Sequence, residues 1–137
     1  MSTLAVGTIK SISSAAPVFQ NTSGTEKGQL AKSWINFNGS GTIAIRDSFN
    51  VSSIADEGTG QYQVNFTNNM ATASDYVVVG SRDNFQAATV LCRNLTASSY
   101  DLAYVQPGVA FYDSNFMFAA VFGDCLLYTS PSPRDED

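Results

Sequence analysis

The stretch "GTIAIRDSFNVSSIADEGTGQYQVNFT", Gly41 to Thr67, decides the fold. Its last part alternates cleanly, with Tyr62, Val64 and Phe66 apolar and Gln61, Gln63, Asn65 and Thr67 polar. Side chains of a strand point alternately to opposite faces, so one set is core and the other wet. The first part puts Ile43, Ile45, Phe49 and Val51 on one face and Ala44, Arg46, Ser48, Asn50 and Ser52 on the other. Asp47 interrupts the apolar set, which predicts a bulge or bend there. Asp56 to Gly60, "DEGTG", is a turn cluster, so the two runs predict a β-hairpin.

Outward from this hairpin, five further apolar pieces are separated by Asn, Gly, Asp and Ser clusters. They are Gln29–Phe37, Asp75–Ser81, Ala88–Arg93, Tyr100–Val105 and Ser114–Gly123. Short strands at such spacing predict an all-β fold: an antiparallel β-sandwich, jelly-roll-like or Greek-key. Val18 to Lys27 has no periodicity and reads as a loop. The last piece, "FMFAAVFG", is dry on both faces: Phe116, Phe118, Ala120 and Phe122 on one, Met117, Ala119 and Val121 on the other. An antiparallel sandwich strand ordinarily keeps one wet face. Something must therefore cover the second, either a loop or sheet of the same chain or another subunit. On the second reading Phe116, Met117, Phe118 and Val121 form a trimer interface.

The chain has 137 residues, of which 14% are charged and 44% apolar, with a formal charge of −5. That length is one domain. An acidic chain without a basic stripe is a poor match for phosphate backbones, so no nucleic-acid partner is expected. There is no histidine. Catalysis by Ser-His-Asp or Cys-His arrangements and His-ligated zinc are thereby excluded. No metal, no cofactor and no enzymatic activity are expected. Asp47, Asp56 and Glu57 raise the question of a glycosidase pair, but Asp56 and Glu57 belong to an exposed turn. No apolar run reaches membrane-spanning length, so no membrane insertion is expected.

The tail "CLLYTSPSPRD", Cys125 to Asp135, resembles, codon by codon, the translated adapter that a transposase-based sequencing-library method leaves on DNA fragments. Residues 125–137 then count as a non-native tail, and such scars are excluded from fold reasoning. Losing Arg134, Asp135, Glu136 and Asp137 removes one cation and three anions and takes the charge from −5 to −3. Cys125 is no designed partner for Cys92. The domain is expected to span 18–124, and residues after Asp124 are expected to pack poorly.

Phe19 to Met70 resembles a module of bacteriophage tail fibres, frequent in environmental DNA. The motifs are Ser23–Glu26 "SGTE", Lys32–Ile54 "KSWINFNGSGTIAIRDSFNVSSI" and Asp56–Met70 "DEGTGQYQVNFTNNM". The resemblance implies a receptor-binding (adhesin) tip on a trimeric, extracellular virion fibre. Its partner would be a bacterial surface polysaccharide or an outer-membrane protein, and residues 1–17 would connect to the fibre shaft. A virion structural or decoration protein is the alternative. Trp34 sits in the scaffold motif and is expected in the core. Receptor contacts are expected from loops held by the scaffold. Arg82, Asp83, Asn84 and Phe85 offer a guanidinium, a carboxylate, an amide and an aromatic ring suited to sugar hydroxyls. Tyr100, Asp101 and Tyr104 form a second cluster, and Tyr112, Asp113 and Asn115 a third. The clusters can act together only if they lie at one end of the sandwich.

Overall fold

The computed structural model describes residues 1–13, 16–83, 88–108 and 110–125. Among them there is no helix. The strands are β1 (Phe19–Gln20), β2 (Glu26–Gly28), β3 (Ser33–Asn38), β4 (Ala44–Phe49), β5 (Val51–Gly58) and β6 (Gln61–Phe66). They continue with β7 (Tyr76–Arg82), β8 (Thr89–Arg93), β9 (Ser99–Gln106), β10 (Ala110–Phe111) and β11 (Met117–Gly123).

One sheet runs β4-β3-β11-β7. The other runs β5-β6-β9, with β8 on the far side of β9 and the β10 stub also on β9. All pairings are antiparallel. The hairpins β3–β4, β5–β6 and β8–β9 each stay within a sheet, while the chain changes sheets at β4→β5, β6→β7, β7→β8 and β10→β11. The last strand returns to lie beside the first long one. This crossing connectivity is Greek-key in character.

The core is made by the inward parity of each sheet. Ile35, Phe37, Met117, Ala119 and Val121 come from one, and Tyr62, Val64, Phe66, Tyr100, Leu102 and Tyr104 from the other. Aromatic edges lock the layers: Phe37 meets Tyr62 edge-on at 5.0 Å, and Phe66 meets Tyr76 at 5.7 Å. Gly80 faces inward on β7, and a Cβ there would lie 2.8 Å from Val90 and 3.3 Å from Leu102. Its lack of a side chain lets β8 close against β7.

Several expectations change. The run from Gly41 to Ile54 is not one strand. It breaks at Asn50, whose φ is 55°, and β4 and β5 belong to different sheets. Asn tolerates the left-handed region better than other side-chain-bearing residues because its amide bonds locally. Here the amide donates to Lys32 O (3.1 Å) and Asn68 O (3.0 Å) and accepts from Asn68 N (2.7 Å). The register with β3 slips between Asn36 and Phe37, opposite Asp47 and Ile45, so the bulge falls where the interrupted pattern placed it. Phe49 pairs with the exposed Trp34 and so lies on the outer surface, and Ile45, opposite Phe37 on the edge strand beyond the bulge, is also exposed, rather than both facing the core. Replacing Asn50 by Ala is expected to cost about 2–3 kcal/mol, from lost hydrogen bonds and left-handed strain. A shift of the urea midpoint at unchanged slope measures it.

Val18 to Lys27 is not only loop: β1 and β2 pair as a small hairpin. Its turn is held by Asn21, whose Oδ1 accepts from Ser23 N, Ser23 Oγ and Thr25 N. Cys125 corrects the picture of a loose tail. It bridges to Met70, donates its thiol to Asn69 O at 3.2 Å and packs against the core cluster. Cys92 and Cys125 are both free thiols. Residues 126–137, the rest of the adapter-like segment, lie outside the described residues.

Candidate functional site

One end of the sandwich gathers the β3–β4 and β5–β6 turns, the chain after β7, the β9–β10 turn and the segment 112–116. A hydrogen-bond hub ties them. Asp113 Oδ1 accepts from Gly60 N at 2.7 Å and from the Tyr62 hydroxyl at 3.4 Å. The Tyr62 hydroxyl also donates to Gly39 O at 2.6 Å. Gly39 N donates to Ser114 O, and the buried Ser114 hydroxyl donates to Asp83 O and Phe116 O. Gly39 must be glycine, because a Cβ there would sit 2.5 Å from the Tyr62 hydroxyl.

The structure brings Arg82, Asp83, Tyr112 and Asp113 to this end. Asp113, expected as a receptor contact, spends its Oδ1 on the scaffold. Arg82 is half-buried at the mouth between the sheets, with its guanidinium 4.4 Å from the Tyr104 ring centroid. Tyr104 in turn lies 6.4 Å from Tyr112, and Gln106 donates to its hydroxyl at 3.3 Å. Asn84 and Phe85 lie outside the described residues. Tyr100 does not join the site. It is wholly buried in the core, because its register with Val64 turns it inward. Its hydroxyl has no hydrogen-bond partner. Asp101, the next residue, faces out from the middle of the other sheet rather than from this end.

The core tyrosines set an alkaline limit. Burial raises Tyr62, with the Asp113 carboxylate adding to it, and burial raises Tyr100. Burial pushes Tyr76 up to about 12. The fold therefore prefers the neutral phenol. Stability is complete below the unfolded tyrosine value near 10 and is lost as pH rises above it, by up to about 1.4 kcal/mol per pH unit for each such tyrosine. Urea midpoints between pH 9 and 11.5 should fall steeply, and Tyr62→Phe should remove one tyrosine's share of the slope.

The second feature is the outer face of the β4-β3-β11-β7 sheet. Register places Phe49, Trp34, Ala120 and Val79 in one row across all four strands. Phe118 lies in the next row between Asn36 and Ser81, and Phe122 faces Val77 on the other side. Trp34 is 38% exposed, Phe49 53% and Val79 56%, so a shallow apolar groove lies open. Trp34 is thus on the surface, not in the core. Met117 and Val121 are wholly buried and cannot be interface residues, because their parity faces the opposite sheet. The outward set is Phe116, Phe118, Ala120 and Phe122. Phe116 stacks near Phe118 at 6.2 Å and carries the Arg46 guanidinium 3.8 Å above its ring. The consecutive apolar residues Trp34–Ile35 and Val77–Val79 were the available signal for this face, but they are silent on which parity is core.

Among the described residues no group of three His, Cys, Asp or Glu could hold a metal ion. Compared with known protein families, curated proteins and solved structures, the chain matches none.

Proposed function

We propose that this chain is a binding and assembly module without enzymatic activity: the receptor-binding tip of a bacteriophage tail fibre, extracellular on the virion and trimeric. The observation that carries this reading is the apolar outer face around Trp34, Phe118 and Val79. A lone domain leaves that surface wet, whereas packing against two further copies removes it from water, and contiguous apolar patches mark association. The tied end of the sandwich then presents Asp83 and Tyr112, with Arg82 behind them, to a bacterial surface polysaccharide or outer-membrane protein. A preorganised loop end limits the ordering cost of binding. Residues 1–17 lead toward a shaft; the described part of that segment carries exposed Leu4, Val6, Ile9 and Ile12.

The apolar face equally supports a second reading, a virion structural or decoration protein with no receptor role. Capture of bacterial cells on immobilised protein separates the two. Cells from a panel of environmental isolates should be retained by the native chain and retained less by Asp83→Ala and Tyr112→Ala. Assembly without capture of any isolate favours the structural reading.

A further inference from the structure

A ring of three copies closes through heterologous contacts, in which one patch of each copy meets an unlike patch of the next. Away from the threefold axis, the apolar outer face of the β4-β3-β11-β7 sheet therefore needs an apolar surface of another kind. The outer face of the other sheet does not supply it. There β6 presents Gln61, Gln63 and Asn65, with Gln63 in one row with Asp101 on β9 and Arg93 on β8. Among the described residues, the richest exposed apolar run outside the Trp34 face lies before the sandwich, at Leu4, Val6, Ile9 and Ile12. Residues 1–13 enter no strand. Leu4 is 78% exposed, Ile9 61% and Ile12 fully. One copy thus leaves two apolar surfaces in water, and neither covers the other.

The two surfaces match in pattern and in length. Val6, Ile9 and Ile12 recur every three residues. Three residues make one turn of the polyproline II conformation, which aligns these side chains on one side over ~19 Å. A row across four strands measures ~14 Å between the outer two. A segment in that conformation therefore spans the row Phe49, Trp34, Ala120 and Val79. The charges are complementary as well. The charged side chain within residues 1–13 is Lys10. The exposed Asp47 stands in the neighbouring row, in register through Asn36 with Phe118.

We propose that residues 4–12 of each copy cross onto the outer β4-β3-β11-β7 face of the next copy, with Val6, Ile9 and Ile12 against Phe49, Trp34 and Val79 and with Lys10 beside Asp47, so that three exchanged segments close the ring. The inference rests on the trimer reading and names the surface that meets the Trp34 face.

The test uses the full chain. Ile9 is replaced by the photocrosslinker benzoylphenylalanine, and light and nitrogen-15-labelled chains are mixed before irradiation. Crosslinks should join position 9 to peptides holding Trp34 or Val79, and mixed light–heavy pairs should appear among them. In sedimentation, a chain carrying Ile9→Asp and Ile12→Asp should raise the concentration at which trimers dissociate at least tenfold. Both side chains stand clear of the sandwich, so its melting as a monomer should not move. Asp47→Lys should weaken assembly at least threefold, and adding Lys10→Asp should restore it. Crosslinks only within one chain, trimers unaltered by the Ile9 and Ile12 changes, or no restoration by Lys10→Asp overturn the exchange and leave the trimer standing. A native chain that stays monomeric at high micromolar concentration removes the trimer and the exchange with it.

Discussion

Phe118→Asp should turn the assembled protein into a folded monomer. Light scattering should then report 14.6 kDa, where the proposed trimer of the native chain should give three times that mass. Phe118 is on the central strand β11, between Asn36 and Ser81 and one row from Trp34, Ala120 and Val79. In a single domain the new carboxylate points to water. Its cost is then confined to the lost stacking with Phe116 and a poorer strand residue, about 1 kcal/mol. In a subunit interface the same carboxylate is desolvated without a partner, which costs several kcal/mol per copy. Three copies share that cost, so assembly fails while the fold persists. Val79→Asp, on the edge strand β7, should act in the same direction. A native chain that stays monomeric at high micromolar concentration, or a Phe118→Asp variant that stays trimeric, would refute the interface.

Gly60→Val should cost about 4 kcal/mol or more, a large share of the 5–15 kcal/mol that holds a domain together. Gly60 has φ of 63°, which a β-branched residue resists. A Cβ there would lie 2.3 Å from Tyr112 O and 2.7 Å from Tyr112 N, and backbone atoms cannot swing aside. The clash also pulls Gly60 N from Asp113, a charge-assisted bond worth about 1.5–3 kcal/mol, and loosens Tyr104 N on Gly60 O. Gly24→Ala is the comparison. Gly24 also has positive φ, at 80°, but nothing lies within 4 Å of its Cβ position. It should lose only about 1 kcal/mol of backbone strain. Thermal melts of the two variants separate strain from contact. A Gly60→Val melt close to that of Gly24→Ala would mean that the loops at this end are not tied together.

Much of the fold was legible in the residues. The alternation at Tyr62, Val64 and Phe66 placed β6 and its inward face. The turn cluster before it placed the β5–β6 hairpin, and the defect at Asp47 placed a bulge. The dry last strand called for a cover over its second face, but no loop or sheet among the described residues supplies one, and Phe116 and Phe122 stay exposed. The candidate site was less legible. Arg82 and Tyr112 do come to one end, but Tyr100 and Asp101 do not, because the register of β9 with β6 turns Tyr100 into the core and Asp101 out from the middle of the sheet.

The sequence by itself determined where most of the long strands run and that they form an antiparallel sandwich, because period-two patterning and turn residues are local properties of the chain; the break at Asn50 and the β1–β2 hairpin were not legible. It determined too that β11 carries two apolar parities. Only the tertiary structure decided which parity is core. Trp34 and Ile35 are both apolar, and so are Phe118 and Ala119. Ile35 and Ala119 face inward because β3 and β11 share a register, and the parity facing β6 and β9 is buried against their aromatic residues. A shift of one residue in that register would have exchanged the two faces. The same choice places Trp34 and Phe118 in the open groove, and it turns on strands distant in sequence.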